Sequence, residues 1–327
     1  MNILVTGGAG YIGSHVCKAL AGRGHVPVAY DNLSRGHESA VRWGPLERGD
    51  VGDRSRVREV LARRKPAAVM HFAAFIDVGE SCADPLLYYR NNVVGAQALL
   101  DAMADFGRLP VVFSSSCAVY GAPRYLPLTE DHPREPLNPY GATKLAVERM
   151  LADLDRSAGL RSVALRYFNA AGADPDGETG EAHDPETHLI PLVLEAARSG
   201  RPVNVYGADY DTPDGTCVRD YVHVTDLADA HLRALDYLIG GGASLALNLA
   251  NARGHSVREV IAAAEAVTGR PIRRTDSARR PGDAPVLVGD AARARAVLGW
   301  KPARSDLRVQ IEDAWRWMTS PNAPPRR

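Results

Sequence analysis

The ten residues 6–15, TGGAGYIGSH, directly follow the apolar run NILV at residues 2–5. Glycines recur every third residue in this stretch, at Gly7, Gly10 and Gly13. At the end of a strand, such glycines allow a tight turn and let backbone N–H groups and the next helix N-terminus approach a pyrophosphate. The spacing GxxGxxG differs from GxGxxG, so this stretch alone is weak evidence for a dinucleotide site.

A carboxylate at the end of the second strand-like run strengthens this interpretation. The run HVPVAYD ends at Asp31, 18 residues after Gly13, where a carboxylate can accept hydrogen bonds from an adenosine ribose. It would repel a 2′-phosphate and favours NAD over NADP, although Arg35 nearby keeps NADP open. Asp50, after a third short strand, either binds the adenine amino group or caps a helix.

Apolar runs of four to six residues alternate with amphipathic helical patterns through the first half of the chain. This alternation predicts βαβ units and a parallel sheet covered by helices on both faces. We therefore predict a doubly wound α/β, Rossmann-type domain over residues 1–170. The polar segment GADPDGETGEAHDPETH then predicts a connection to a smaller mixed α/β lobe over residues 171–327, some elements of which return to the main sheet.

Composition excludes several classes of partner. Lysine plus arginine and aspartate plus glutamate number 39 each in 327 residues, so no long-range charge favours nucleic acid or an anionic membrane. Four widely separated cysteines without a CxxC pair predict free thiols in a reducing compartment. With no basic n-region and no apolar run near the roughly 20 residues of a membrane span, we expect a cytoplasmic protein. No metal site is predicted.

Tyr140 and Lys144 form a YxxxK pattern in a predicted helix after Pro139. At this spacing both side chains share one helix face, so an ammonium can favour the phenolate of a tyrosine whose ordinary pKa is about 10. YxxxK alone is common in ordinary helices. Here the strand VFSSS ends at Ser116, which can hydrogen-bond a substrate hydroxyl beside Tyr140. Together with the glycine turn, these residues compose one candidate catalytic site.

The segments TGGAGYIGSH, SSSCAVYG, YGATK, RYFNAAGA and GTCVRDYVHV resemble the extended short-chain dehydrogenase/reductase family, and within it the enzymes that epimerise UDP-glucose and UDP-galactose at C4. The similarity runs from Met1 to about Trp317. It implies that tightly held NAD takes a hydride from C4 of the hexose while Tyr140 removes the 4-hydroxyl proton. The 4-ketose then turns over and receives the hydride on its other face. Lys144 would hold the nicotinamide ribose and lower the Tyr140 pKa, and Ser116 would assist proton transfer.

The same resemblance implies a homodimer formed by helices of the cofactor domain, and it implies binding residues by motif. The implied cofactor residues are Gly7, Gly10, Tyr11, Ile12, Gly13, Asp31, Asn32, Asp50, Val51, Phe72, Ala73, Ala74, Asn91, Ser114, Tyr140, Lys144 and Phe168. The implied UDP-sugar residues are Ser116, Tyr140, Asn169, His188, Leu189, Tyr206, Arg219, Tyr221, Arg280, Asp283 and Leu287. Arg219 and Arg280 could bridge a diphosphate, and Tyr206 could stack on uracil.

The sequence is also compatible with other activities. They are epimerisation of another UDP-sugar (an N-acetylhexosamine, uronate or pentose), a nucleotide-sugar 4,6-dehydratase, and a non-catalytic dinucleotide sensor. A dehydratase needs an acid and a base beside the active hydroxyl, but Cys117 and Ala118 stand there. Some relatives carry lysine where this chain has Ile76, which removes one possible cofactor contact. Leu287 is intermediate in size and leaves acceptance of N-acetylated sugars open.

Overall fold

The computed structural model describes residues 1–280 and 283–324. The strands are β1 (Asn2–Thr6), β2 (Val26–Asp31), β3 (Leu46–Arg48), β4 (Ala68–His71), β5 (Val111–Ser116), β6 (Ser162–Tyr167), β7 (Asn169–Ala171), β8 (Val203–Tyr206), β9 (Val218–His223), β10 (Leu245–Leu249), β11 (Gly254–Ser256), β12 (Arg274–Ser277) and β13 (Val286–Leu287). The helices are α1 (Tyr11–Gly22), α2 (Arg54–Arg64), α3 (Val78–Ala83), α4 (Pro85–Tyr88), α5 (Gly95–Met103), α6 (Pro139–Ala158), α7 (Leu189–Ser199), α8 (Val224–Ile239), α9 (Val257–Thr268), α10 (Ala292–Leu298) and α11 (Leu307–Met318).

Seven parallel strands form the main sheet, in the order β10-β6-β5-β4-β1-β2-β3. The chain runs outward from β1 through β2 to β3, and then crosses back to β4 on the other side of β1. Such a reversal opens a crevice at the carboxyl ends of the strands, where open α/β sheets bind ligands. The predicted doubly wound, Rossmann-type fold is therefore confirmed.

Buried side chains cover both faces of this sheet. Strand β1 shows the division, because Ile3 and Val5 pack on the face of α1 and α8, whereas Leu4 packs on the face of α2, α5 and α6. Strands β4, β5 and β6 are buried along their whole length. Parallel strands covered on both faces carry continuous apolar runs, which explains why these segments show no polar alternation.

The second lobe begins inside a run that the sequence suggests is one strand, RSVALRYFN. The chain bends at Phe168, so that β6 lies in the main sheet and β7 pairs with β9 in a smaller sheet that also contains β11 and β13. Strand β10, the segment LALNL, returns to the edge of the main sheet beside β6. The segment PIRRT at residues 271–275, which the sequence suggests is a short strand, contributes only its last two residues to β12, which pairs with β8. Helices α10 and α11 were not predicted.

Residues 172–188, the polar segment of the sequence, contain neither helix nor strand and connect the two sheets. Ser14 Oγ in α1 lies 2.9 Å from Thr179 Oγ1, and the Lys18 ammonium lies 2.8 Å from the Asp174 carboxylate. Trp317 Nε1 in α11 donates to Glu181 O at 3.0 Å. The connection is thus held between the first and last helices. Within the described residues, no helix is long and apolar enough to cross a membrane.

Candidate active site

The glycine turn after β1 has no room for side chains. Gly7 has φ +73°, and a Cβ there would lie 2.6 Å from Ala73 N. A Cβ at Gly13 would lie 2.1 Å from Gly7 O. Helix α1 begins after Gly10 with no side-chain cap and no acidic residue in its first turn. Its N-terminal amides and positive dipole end therefore suit an anionic group such as a pyrophosphate.

Asp31 closes this turn from the end of β2. Its carboxylate accepts hydrogen bonds from Ala9 N at 3.0 Å and Leu33 N at 2.8 Å. Burial raises the Asp31 pKa, and these two hydrogen bonds oppose the increase. Asn32 Nδ2 donates to Asp50 Oδ2 at 2.7 Å, so the two residues expected at the adenosine end are joined. Asp50 also accepts from Gly52 N and does not cap α2.

The sequence left open that Arg35 binds the 2′-phosphate of NADP, but in the structure Arg35 forms an ion pair within the protein. Its guanidinium lies 2.7 Å from the Glu80 carboxylate and 5.3 Å from the Phe75 ring centroid. Phe75 is in turn fixed by a residue that the sequence analysis missed. Asn92 Oδ1 accepts from Phe75 N at 2.8 Å, and Asn92 Nδ2 donates to Phe75 O and to Thr143 Oγ1 in α6. Asn91, the predicted contact, donates to Asn92 Oδ1.

The three serines at the end of β5 have three different partners. Ser114 Oγ hydrogen-bonds the Tyr167 hydroxyl, and Ser114 O accepts from Lys144 Nζ at 2.8 Å. Ser115 Oγ donates to Glu148 Oε1 at 2.5 Å. Ser116 hydrogen-bonds the Tyr140 side chain, which makes it the serine of the candidate catalytic group.

Tyr140 and Lys144 lie together on the buried face of α6, with Lys144 Nζ 5.9 Å from the Tyr140 ring centroid. Desolvation raises the Tyr140 pKa to about 12, although the Ser116 hydrogen bond lowers it. Desolvation also lowers the Lys144 pKa to about 7. The sequence predicted that Lys144 lowers the phenol pKa, but burial outweighs any such effect in the protein alone.

A buried polar network beneath the serines was not predicted. Arg166 and Glu148 form a two-pronged ion pair with N–O distances of 2.8 and 2.6 Å, and their side chains are 3% and 5% exposed. Arg166 Nη1 also donates to Tyr120 OH at 2.9 Å, which donates to Asn248 Oδ1 at 2.6 Å. This network joins β5, α6, β6 and β10. Glu148 follows Tyr140 by two four-residue steps on one helix face, and this spacing is the sequence signal that could have revealed it.

Four of the predicted substrate residues lie on the smaller sheet. Asn169 in β7 stands opposite Tyr221 in β9, and Leu287 in β13 stands opposite Arg219. Arg219 and Tyr221, two residues apart, share one face of β9. Arg219 donates to Ala284 O at 2.8 Å, and its guanidinium lies 3.4 Å from the Asp283 carboxylate.

Tyr206 and Arg280 are brought together beside this sheet. The Arg280 guanidinium lies 4.0 Å from the Tyr206 ring centroid, a cation–π contact that covers one face of the ring. Stacking on a base would therefore use the other face. Leu287 and Cys117 each pack against a small buried cluster that contains Phe168. Leu189 begins α7 directly after His188.

His188 belongs to a cluster of charged side chains. Its Nδ1 contacts the Glu181 carboxylate, and His183 Nδ1 lies 3.0 Å from the same carboxylate. Burial lowers the His183 pKa, but the Glu181 and Glu186 carboxylates outweigh burial and raise this pKa to about 10. Burial also lowers the His188 pKa, but the nearby carboxylates, Glu181 above all, raise it above its ordinary value.

Most of the predicted cofactor residues thus meet at one edge of the sheet. Four of them lie at or just after the carboxyl ends of β1, β2, β4 and β6, and one lies two residues before the end of β5: Gly7, Asp31, Phe72, Phe168 and Ser114. Other members of the predicted set lie on adjoining elements: Tyr11, Ile12 and Gly13 in α1, Ala73 and Ala74 after β4, and Val51, which is buried. The glycine turn that excludes side chains and the uncapped start of α1 fit a dinucleotide.

Comparison with known proteins agrees with this geometry. Residues 3–250 match the model of the NAD dependent epimerase/dehydratase family. A UDP-glucose 4-epimerase of Rhizobium meliloti is 55% identical over 322 residues, which cover 98% of each chain. The crystal structure of a Brucella ovis UDP-glucose 4-epimerase in complex with NAD is 54% identical, with a TM-score of 0.92 over 96% of this chain and 97% of that one.

A second solved structure is more distant in sequence and equally similar in fold. It is a Bifidobacterium longum UDP-glucose 4-epimerase in complex with NAD⁺ and UDP, 38% identical, with a TM-score of 0.94 over 98% of this chain and 99% of that one. Similarity of this extent covers both lobes. The chain belongs to the NAD dependent epimerase/dehydratase family.

Proposed function

We propose that this protein interconverts UDP-galactose and UDP-glucose by epimerisation at C4 of the hexose, with NAD as its cofactor. The observation that carries the proposal is the trio of Ser116, Tyr140 and Lys144 at the edge of the sheet where the glycine turn also lies. Relatives that match this chain over nearly their whole length are UDP-glucose 4-epimerases.

Tyr140 exchanges a proton with the sugar 4-hydroxyl in this mechanism. Bound NAD supplies the acceptor and donor of the hydrogen at C4, together with a positive charge. Ser116 hydrogen-bonds the phenol and stabilises its ionised form, which burial otherwise opposes. When the 4-ketose is reduced on its other face, Tyr140 returns the proton to O4, so the cycle needs no net acid or base.

Lys144 positions the cofactor side of the site. Its ammonium is buried, and among the described residues its only hydrogen-bond acceptor is Ser114 O. Two of its N–H groups thus remain for hydroxyl groups of a nicotinamide ribose. A pKa of about 7 means that a ligand which accepts these hydrogen bonds also favours the charged lysine.

The other proposed binding residues divide into those that contact the cofactor and those that contact the UDP-sugar. Asp31, Asn32 and Asp50 would hold the adenosine end, and the amides after Gly10 would hold the pyrophosphate. On the substrate side, Arg219 and Arg280 would contact the UDP diphosphate by charge-assisted hydrogen bonds. The remaining proposed UDP-sugar contacts are Asn169, His188, Leu189, Tyr206, Tyr221, Asp283 and Leu287.

The residues beside Ser116 do not favour a dehydratase. Burial raises the Cys117 pKa to about 12, which makes the thiol a poor proton donor, and Ala118 has no titratable group. Eliminating water from the 4-ketose needs an acid and a base at this place. Oxidation at C4 followed by return of the hydrogen needs neither.

The direct test is incubation of the purified protein with UDP-galactose. We expect UDP-glucose to form without added NAD, because the cofactor is tightly held, and the reverse reaction to reach the same equilibrium mixture. Chromatographic separation of the two UDP-sugars measures the result. Inactivity on both UDP-hexoses in the presence of added NAD would reject the proposed activity.

We also propose that the protein is a homodimer formed by helices of the cofactor domain. Three apolar side chains in α4 and in the segment that joins it to α5 are exposed to solvent: Leu86 at 68%, Tyr89 at 41% and Val94 at 53%. Apolar surface of this kind is typical of an interface when it is contiguous. The occupant would be the same face of a second copy, as in isologous dimers.

A charged residue at this face should weaken the dimer. We expect light scattering to give twice the 35.2 kDa chain mass for the wild type and a shift toward the single chain for Leu86→Glu. Ile239→Glu, in the exposed end of α8, is the matched control, since Ile239 is 46% exposed on the other face of the sheet. A monomeric wild type, or equal effects of both substitutions, would contradict this interface.

Two further proposals concern organisation and location. We assign cofactor binding to residues 1–170 and UDP-sugar binding to residues 171–327, except that β10 belongs structurally to the main sheet. The four cysteines Cys17, Cys82, Cys117 and Cys217 are free thiols, which is typical of a reducing compartment and supports a cytoplasmic location.

A further inference from the structure

The loop at residues 181–188, EAHDPETH, gathers two carboxylates and two imidazoles outside the proposed catalytic trio. One ligand atom from each of Glu181, His183, Glu186 and His188 lies within 4.8 Å of the other three. The two glutamate side chains are 6% and 8% exposed, while the imidazoles of His183 and His188 are 20% and 40% exposed. The donors therefore form a pocket that is closed at its base and open toward solvent on the histidine side.

Distances within the cluster suit a small ion. His183 Nδ1 lies 3.0 Å from Glu181 Oε1 and 3.7 Å from Glu186 Oε1. A tetrahedral Zn²⁺ ion with bonds of about 2.0–2.2 Å holds its ligands about 3.3–3.6 Å apart. His183 Nδ1 already faces both carboxylates, so one nitrogen and two carboxylate oxygens converge on the same point. An ion would replace the direct contacts of Glu181 with His183 and His188, because the ligands of one ion lie farther apart than these paired atoms.

The loop backbone already orients two of the donors. Thr187 N and His188 N both donate to Glu186 Oε1, at 2.9 and 3.0 Å. Trp317 Nε1 in α11 donates to Glu181 O at 3.0 Å and fixes the other end of the loop. Positioning of ligands by hydrogen bonds of this kind is typical of metal sites.

A neighbouring group of three carboxylates differs from this cluster, because a lysine of the protein already neutralises it. Asp174, Asp176 and Glu178 also lie close together, but the Lys18 ammonium stands 2.7–2.8 Å from all three carboxylates. A cation of the protein already occupies that position. The 181–188 loop has imidazoles in place of an ammonium, and an imidazole coordinates a metal ion when the ion displaces its proton.

We propose that Glu181, His183, Glu186 and His188 bind one divalent transition-metal ion, and that Zn²⁺ suits them best. Two imidazole nitrogens with two carboxylate oxygens are a zinc-type donor set, whereas Mg²⁺ and Ca²⁺ prefer oxygen ligands alone. The ion would fix the loop that leads into His188 and Leu189 at the start of α7. Only this positioning role rests on the proposed function, since metal binding by the loop does not require it.

Calorimetry on the metal-free, NAD-loaded full chain tests the proposal. ZnCl₂ should bind with a stoichiometry of one in a Cys82→Ser background, which removes the exposed thiol, and MgCl₂ should give no binding heat. Co²⁺ should give the intense visible absorption of a tetrahedral site. His183→Gln and Glu186→Gln should each weaken Zn²⁺ binding at least about 100-fold.

His37→Gln is the matched control, because His37 Nε2 contacts the same loop through Ala182 O at 2.7 Å but is not one of the four donors. It should bind Zn²⁺ like the wild type. Absence of Zn²⁺ uptake by the wild type would mean that the four side chains form ion pairs only, and would overturn the proposal. Uptake that survives both donor substitutions would do the same. If one variant does not fold, the other variant and the wild-type Co²⁺ spectrum still decide, and neither readout depends on epimerase activity.

Discussion

Tyr140→Phe should lower kcat for UDP-galactose about 10²–10⁴-fold, the range typical of losing a general acid–base group. The substitution removes the one phenol oxygen that hydrogen-bonds Ser116 and leaves the aromatic ring in place. Its pKa of about 12 in the protein alone makes proton transfer dependent on the fully assembled site. Steady-state kinetics with UDP-galactose measure the loss, and calorimetry with UDP should show unchanged affinity.

A second tyrosine provides the control for this experiment. Tyr120→Phe removes a buried hydroxyl that contacts Arg166 and Asn248 but lies outside the proposed catalytic trio. It should cost stability and change kcat far less than Tyr140→Phe. Equal loss of turnover and UDP binding in Tyr140→Phe would indicate a structural role for Tyr140 and contradict its assignment as the proton-transfer residue.

Glu148→Gln should lower the free energy of unfolding by about 3–5 kcal/mol, the usual cost of leaving a buried charge without its partner. Glu148 accepts hydrogen bonds from both Arg166 and Ser115, and the glutamate and arginine side chains are almost wholly buried. Glutamine keeps the shape but removes the negative charge. Urea denaturation followed by circular dichroism measures the change.

Two further variants test whether the loss of stability in Glu148→Gln comes from the buried ion pair. Glu59→Gln breaks exposed pairs with Arg56 and Arg63 in α2 and should give no measurable change. The double variant Glu148→Leu with Arg166→Met should recover much of the loss, because an apolar pair of similar volume avoids the buried charge altogether. A Glu148→Gln protein as stable as the wild type would contradict the view that this ion pair supports the end of β5.

The sequence predicted the fold, and it grouped the three proposed catalytic residues that the structure brings together, because both depend on local patterns. Apolar runs of four to six residues mark buried parallel strands, and the glycines mark the turn after β1. YxxxK places Tyr140 and Lys144 on one helix face, and the structure adds the hydrogen bond that distinguishes Ser116 from its two neighbours. Carboxyl ends of parallel strands meet at one edge, so residues far apart in sequence could be grouped correctly.

Long-range polar partners were harder to predict. Asn92 joins the Phe75 backbone to α6, and Arg166 joins three strands through Glu148, Tyr120 and Asn248, so no single segment shows the network. The bend at Phe168 was also missed, because one apolar run serves two sheets. The loop motif ExHxxExH was visible in the sequence, but only folding shows that its four side chains converge.

Electrostatics at the trio were predicted in part. The proximity of Lys144 to Tyr140 follows from helix geometry, but the sequence does not show how strongly burial acts on each group. In the structure desolvation raises the pKa of the phenol and lowers the pKa of the ammonium. The protein alone thus keeps the Tyr140 phenol neutral and leaves Lys144 divided between its charged and neutral forms near pH 7, so ligand binding must supply the charge that activates Tyr140.

The most direct test of the central claim is the fate of the hydrogen at C4. The purified protein should convert UDP-galactose carrying deuterium at C4 into UDP-glucose that retains the deuterium at C4 in ordinary water, without added NAD. Mass spectrometry and NMR of the product measure this. Retention is the expected result, because the hydrogen leaves C4 and returns to it inside a closed site. Epimerised product that has exchanged its C4 deuterium for solvent hydrogen would contradict the proposed mechanism.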